Sequence, residues 1–82
     1  MKVTRSICIY DKHNDKYLDE IGIDNISLDI LKEIINADAD DPDLYKIHPI
    51  TKTQYERIIV LVPSLSNYDL KKVDRFFECC QA

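Results

Sequence analysis

A helix-capping motif in the second half of the chain constrains the elements on either side of it. In Thr51-Lys-Thr-Gln54 the Thr51 side chain can accept from the backbone N–H of Gln54, and the Gln54 side chain can reach back to Thr51. Ile50 and Tyr55 occupy the two positions of a hydrophobic staple. Pro63 prevents extension of the helix, so the pattern predicts a helix from 52 to about 61. Its inward residues are expected to be Tyr55, Ile58, Ile59 and Val62.

Two alternating segments near the N-terminus predict an antiparallel β-hairpin. Residues 2–10 and 17–23 are rich in β-branched and aromatic residues, and the polar cluster 11–16 between them is typical of a turn. The residues expected to share a face are Val3, Ile7 and Ile9 in the first strand and Tyr17, Asp19, Ile21 and Ile23 in the second.

Ser27 is a favourable N-cap for a helix that should end near Asn36. The apolar residues at helical spacing in this segment are Leu28, Leu31, Ile34 and Ile35, with Ile30 at the edge of the stripe. Leu44, Tyr45 and Ile47 then predict a short third strand that ends at Pro49.

The C-terminal segment predicts a third helix. Ser66-Asn-Tyr-Asp69 is a second capping pattern, and a helix over 67–80 follows from the apolar spacing after it. The residues that carry this spacing are Leu70, Val73, Phe77 and Cys80.

The predicted order β-β-α-β-α-α indicates an α+β fold. We expect a small, mainly antiparallel three-stranded sheet with three helices packed on it. A chain of 82 residues has room for one hydrophobic core, so we predict a single domain over 1–82.

The charge is acidic overall and uneven along the chain. The formal net charge is −4, which argues against direct binding to nucleic acid. The segment 11–43 holds eleven carboxylates against three lysines, a net charge of −8. The rest of the chain holds four carboxylates against eight lysines and arginines, a net charge of +4. An acidic region on a small domain favours a basic partner, although a solvated surface that maintains solubility explains the same charges.

The three cysteines, Cys8, Cys79 and Cys80, make a poor disulfide framework because their number is odd and two are adjacent. Reduced thiols fit a cytoplasmic protein. The apolar stretch after Met1 is too short for a signal peptide or a membrane span, so we expect no membrane association.

The sequence offers little support for a metal site or a catalytic site. Counted from Asp38, an EF-hand loop would place Pro42 at its fifth position and Pro49 at its twelfth, where calcium ligands are needed. His13 and His48 lie at no zinc-ligand spacing with the cysteines. No nucleophile lies in a recognisable motif. We therefore predict a protein that is not an enzyme and that holds no metal or cofactor.

The acidic run and the tyrosine after it predict a partner-binding site, because charges steer association and an aromatic side chain anchors it. The candidate residues are Asp38, Asp40, Asp41, Asp43 and Tyr45, with Asp15, Asp19 and Glu20 as secondary candidates. A solvated loop with a turn at Asp41-Pro42 explains the same run.

Several short segments resemble a family of small bacterial proteins of the toxin-immunity type, including those of contact-dependent growth inhibition. The segments are Tyr10-Asp11-Lys12, Ile21-Gly22-Ile23, Asp40-Asp41-Pro42-Asp43-Leu44-Tyr45 and Pro49-Ile50-Thr51 with Gln54. The resemblance implies a protein that binds and neutralises a cognate toxin domain, such as a basic nuclease, as a monomer in a 1:1 complex. A small regulatory or adaptor domain that binds another host protein is the alternative.

Overall fold

A β-sheet of four antiparallel strands runs through the described part of the chain, which comprises residues 3–36, 41 and 43–81 of the computed structural model. The elements in chain order are β1 (Val3–Asp11), β2 (Tyr17–Gly22), α1 (Leu28–Ile35), β3 (His48–Pro49), α2 (Lys52–Leu61), a 3₁₀ helix (Pro63–Asn67) and β4 (Val73–Gln81). The α+β class and the antiparallel sheet are confirmed. The predicted count of three strands and three helices is wrong.

The strand order is β2-β1-β4-β3, so β1 lies inside the sheet with a neighbour on each side. It pairs with β4 over its whole length, from Val3 opposite Gln81 to Asp11 opposite Val73. This pairing joins the two ends of the described chain. Ile7 and Ile9 on β1 are both fully buried in the core, on the face that they were expected to share.

The largest correction concerns the C-terminal segment, which is the strand β4 and not a helix. Val73 and Phe77, the buried pair that suggested helical spacing, are four residues apart. Residues separated by four lie on the same face of a strand as well as of a helix, so the spacing does not distinguish the two. The capping pattern forms no helix either, since the Asp69 carboxylate accepts from the Lys71 backbone N–H in a turn before β4. Pairing with β1 decides the outcome.

The helices predicted after Ser27 and after Thr51 are confirmed as α1 and α2, with their N-caps. The Ser27 hydroxyl accepts from the Ile30 N–H, and the capping box at Thr51 and Gln54 is complete. The Gln54 side-chain amide also donates to the Ile35 carbonyl at 3.1 Å. Gln54 therefore caps the start of α2 and also satisfies one of the free carbonyls at the end of α1.

The predicted third strand is shifted and shortened. Leu44 adopts a left-handed conformation with φ of 56° and is fully buried, whereas Tyr45 and Ile47 are 49% and 62% exposed. This segment is a turn, and only His48 and Pro49 pair with β4. The expected alternation fails because a left-handed residue interrupts the extended backbone.

The hydrophobic core lies between one face of the sheet and the helices. Its buried members come from β1, β4, both α-helices, the 3₁₀ helix and the connecting segments. They are Ile7, Ile9, Ile23, Ile26, Leu31, Ile34, Ile35, Leu44, Ile50, Tyr55, Ile58, Val62, Leu65, Val73 and Phe77. Since every helix packs on this face, the other face of the sheet carries no described helix.

Candidate partner-binding face

The side of the sheet opposite the helices is a surface of aromatic and acidic side chains, which we call the open face. Its aromatic and acidic strand residues are Tyr10, Tyr17, Glu20, Asp74, Phe76 and Glu78, with Asp15 and Ile47 at its rim and Cys8 on β1 between Glu20 and Phe76. Strand alternation places these side chains here because the intervening residues point into the core. Among the described strand residues that point to this side there is no lysine or arginine.

Tyr10 organises the centre of the open face. Its Cα pairs with that of Asp74, yet its hydroxyl donates to Glu78 Oε2 at 3.0 Å, four residues further along β4. The side chain therefore lies along the sheet and crosses Phe76. The two rings meet edge to face with centroids 5.6 Å apart, a favoured geometry for aromatic pairs.

A β-bulge extends this aromatic group onto β2. The register between β1 and β2 shifts between Ile9 and Tyr10, so Tyr10 pairs with Tyr17 while Ile9 pairs with Asp19. Tyr17 therefore points to the open face. The alternation had predicted the opposite side, shared with Asp19 and Ile21, and this prediction is wrong because the bulge adds one residue to β2. The rings of Tyr10 and Tyr17 lie 5.6 Å apart in an edge-to-face contact. The Tyr17 hydroxyl donates to Glu20 Oε2 at 3.1 Å.

These contacts favour the neutral forms of the two tyrosine hydroxyls and of the Cys8 thiol on β1. The hydrogen bond to Glu78 raises the pKa of Tyr10. Partial desolvation, followed by the hydrogen bond to Glu20, raises the pKa of Tyr17 to about 12. Burial, followed by the hydrogen bond with Glu78, raises the pKa of the Cys8 thiol to about 12. The formal charge of the described strand residues on the open face is negative, because they include carboxylates and no lysine or arginine.

A cleft of about 360 Å³ opens beside Tyr10. Its lining residues are Tyr10, Asp15, Ile47, Asp74, Phe76 and Glu78. The cleft combines an aromatic wall with three carboxylates. Lys12 lies at its edge, with Nζ 4.0 Å from Asp74 Oδ1.

A second cleft, of about 440 Å³, lies at the turn end of the hairpin and has the opposite charge. It is lined by Asp11, Lys12, His13, Lys71 and Lys72. The described surface is therefore polarised, with an acidic sheet face beside a basic end.

Of the predicted site residues, Asp15 and Glu20 belong to the open face, whereas Asp19 does not. Asp19 pairs with Ile9 and accepts a hydrogen bond from the Tyr68 hydroxyl on the helix side. That bond holds the pKa of Asp19 below its usual range and raises the pKa of Tyr68 to about 12. The contact ties the β2 edge to the segment before β4.

Asp41 is enclosed within the fold, with an exposed fraction of 4%. Its carboxylate accepts from the Tyr45 N–H at 2.8 Å, from the Lys46 N–H at 3.1 Å and from His48 Nε2 at 2.7 Å. Burial acts to raise the pKa of Asp41, but these hydrogen bonds outweigh it, so the pKa lies below its ordinary value. The geometry gives Asp41 a role in shaping the 43–48 turn and leaves little of it for a partner.

Asp43 and Tyr45 are exposed and lie beside Arg5, away from the open-face cleft. The Arg5 guanidinium donates to the Asp43 carbonyl at 2.9 Å and lies over the Tyr45 ring at 5.8 Å. Asp38 and Asp40 lie outside the described residues. The described members of the acidic run, Asp41 and Asp43, therefore do not line the cleft of the open face, and contact of the run with a partner stays a prediction.

Residues 4–78 match the family described as "Domain of unknown function (DUF7683)". The chain belongs to the DUF7683 family. The comparison with curated proteins and the comparison with solved structures found no match. Since the DUF7683 match names no toxin and no partner, the resemblance to immunity proteins stays a prediction.

The DUF7683 match includes the whole open face, from Tyr10 to Glu78. Sequence reasoning missed Asp74, Phe76 and Glu78, because a helix over 67–80 distributes them around its circumference. The available signal was an imperfect alternation from Val73 to Cys79, in which Asp74, Phe76 and Glu78 follow Val73, Arg75 and Phe77.

Within residues 3–36, 41 and 43–81, no group of three or more His, Cys, Asp or Glu side chains is placed to hold a metal ion. The helices of the same residues include none with the length and apolar character needed to cross a bilayer.

Proposed function

We propose that this DUF7683 domain is an immunity protein that neutralises a basic toxin domain by binding it with the open face. The observation that carries the proposal is the composition of that face, which combines aromatic side chains with charged carboxylates from two strands and a loop. The proposal keeps the partner class predicted from the sequence. It moves the centre of the interface from the 38–45 run to the sheet.

The electrostatics of the open face suit a partner rich in arginine and lysine. Carboxylates make short, charge-assisted hydrogen bonds to such side chains and can occupy positions that phosphates take in a nuclease cleft. A negative surface also speeds the encounter with a positive one. The mild net charge of −4 and the basic end near Lys71 do not oppose this, because steering depends on the local field of the facing surface.

The aromatic side chains of the open face provide the second component that a tight interface needs. Tyrosine is enriched among the residues that dominate binding energies, since it buries a large rigid surface and keeps a polar end. Tyr17 is 50% exposed and Ile47 is 62% exposed, so both have area left to bury. Tyr10 and Phe76 are half-buried and hold their positions through ring contacts before any partner arrives.

The proposal is tested by coexpression with the product of the adjacent gene. We expect that product to be toxic alone, and we expect this chain to restore growth and form a 1:1 complex whose affinity falls with added salt. Glu20→Lys on the open face should slow association about tenfold. Glu56→Lys, which makes the same charge change at an exposed position on α2, is the matched control.

Three results would contradict the proposal. The first is an adjacent gene product that is toxic, that this chain does not bind, and that remains toxic in its presence. The second is an equal loss of association in Glu20→Lys and Glu56→Lys, which would remove the open face from the interface. The third is a non-toxic neighbour that forms the complex, which would support a regulatory or adaptor domain instead.

A further inference from the structure

We propose that the cleft beside Tyr10 is a recognition pocket for one arginine side chain of the partner. The inference rests on the proposed function, because it specifies which group of a basic partner the open face receives. It goes further by assigning a particular ligand chemistry to a particular cavity.

The size of the cleft suits a single side chain. Its volume of about 360 Å³ is at the lower end of the range for small-ligand sites, roughly 300–1,000 Å³. Ile47 and the rings of Tyr10 and Phe76 supply apolar walls, along which the methylene groups of a long cationic side chain can pack.

The order of residues along β4 places an aromatic ring between two carboxylates. Asp74, Phe76 and Glu78 occupy alternate positions of one strand and all line the cleft. A cation over the Phe76 ring would have a carboxylate on each side. Attraction to the ring face and charge pairing then act on the same group.

Glu78 is held in position before any ligand binds. The Tyr10 hydroxyl donates to its Oε2 at 3.0 Å. This donor is a neutral hydroxyl, so it orients the carboxylate without supplying a positive charge. Within the described part of the chain, no lysine or arginine forms a salt bridge with Glu78.

Arginine fits this arrangement better than lysine. The guanidinium is planar, stacks on aromatic rings and donates from several N–H groups in fixed directions. Lys12 already occupies the rim, 4.0 Å from Asp74, so a second compact ammonium would compete with it. A guanidinium can stack on the ring wall and reach Glu78 without displacing Lys12.

The test uses small probes on the whole isotope-labelled chain. Nα-acetyl-arginine amide should shift the amide signals of Tyr10, Phe76 and Glu78 in a saturable titration in the millimolar range. The citrulline analogue has nearly the same shape without the charge and should cause no such shifts. The corresponding lysine amide should bind several-fold more weakly than the arginine amide.

Two variants locate the binding in the cleft. Glu78→Gln retains an acceptor for Tyr10 and should weaken arginine binding roughly tenfold. Asp74→Asn tests the rim without altering the contacts of Glu78, so it remains informative if the first variant does not fold. Glu56→Gln on α2 is the matched control and should leave the titration unchanged.

The pocket and the proposed function fail in different ways. Absence of arginine-specific shifts, equal shifts with citrulline, or equal binding of lysine overturns the pocket, even if the adjacent toxin is bound and neutralised. Failure to bind any such toxin, with arginine still held in the cleft, overturns the function and leaves the pocket standing.

Discussion

The carboxylates of two acidic regions of this protein differ in burial and in the number of hydrogen bonds that they accept from the chain. Asp41 is buried, and its oxygen atoms accept three hydrogen bonds from its own chain. Glu20 and Glu78 lie on the open face, where each accepts from a neutral tyrosine hydroxyl and keeps its negative charge unpaired within the described chain. Carboxylates that are close together in the sequence therefore differ in how many hydrogen bonds the fold already gives them. Those with fewer internal partners are the ones that we propose for contact with another molecule.

Substitution of the buried Asp41 is expected to have the largest effect on stability. Asp41→Ala leaves the N–H groups of Tyr45 and Lys46 without their acceptor in a nearly closed site, and an unsatisfied buried donor is costly. We expect the Tm to fall by roughly 10 °C in thermal unfolding followed by circular dichroism. A variant as stable as the wild type would show that the turn forms without this carboxylate.

Acidification should weaken the same region. Because the folded pKa of Asp41 is below its ordinary value of 3.8, the unfolded chain takes up a proton that the native chain does not. Stability is therefore fully present above pH 3.8 and is lost as the pH falls through the folded pKa. Urea unfolding at a series of acid pH values measures this loss.

Asp41→Asn is the control for the acid experiment, since it removes the titrating group and keeps a similar shape. Its stability should vary less between pH 5 and pH 2 than that of the wild type, roughly the window in which a salt-bridged aspartate loses its contribution. Asp19, whose pKa is also lowered, will leave part of the slope in place. An identical slope in both proteins would remove Asp41 as its source.

Tyr10→Phe should have a smaller effect on stability than Asp41→Ala. It removes one hydroxyl from a half-buried site and leaves the ring contact with Phe76 intact. We expect a Tm lower by roughly 2–5 °C. The free energy of arginine binding should change more than the free energy of unfolding, because Glu78 loses its orienting donor. Titration with Nα-acetyl-arginine amide measures the change in binding. A large loss of stability without weaker binding would make the open face a structural element.

The smallest effect on stability is expected for Glu20→Lys. Glu20 is exposed on the edge strand, and its only side-chain hydrogen bond in the described chain is from Tyr17. We expect a Tm within about 2 °C of the wild type, as for most surface substitutions. Glu56→Lys on α2 should behave the same way. Differential scanning calorimetry of the two variants checks that any difference in partner association does not come from unfolding.

The sequence alone determined the elements that depend on neighbours within four residues. The caps at Ser27 and at Thr51 with Gln54 were predicted correctly, as was the shared face of Ile7 and Ile9 in β1, because each signal is complete within one turn or one alternation. The acidic charge of the chain was also evident. Two of the three secondary candidates for the interface, Asp15 and Glu20, lie on the open face.

Only the tertiary structure decided the rest. Val73 and Phe77 suit a strand and a helix equally, and the choice came from nine residue pairs with β1 at the other end of the chain. That pairing also placed Asp74, Phe76 and Glu78 beside Tyr10. Asp41 accepts from His48, which is seven residues along the chain and so lies beyond the span of a helix cap. Contacts between residues distant in sequence leave no local pattern, so they emerge only when the chain is folded.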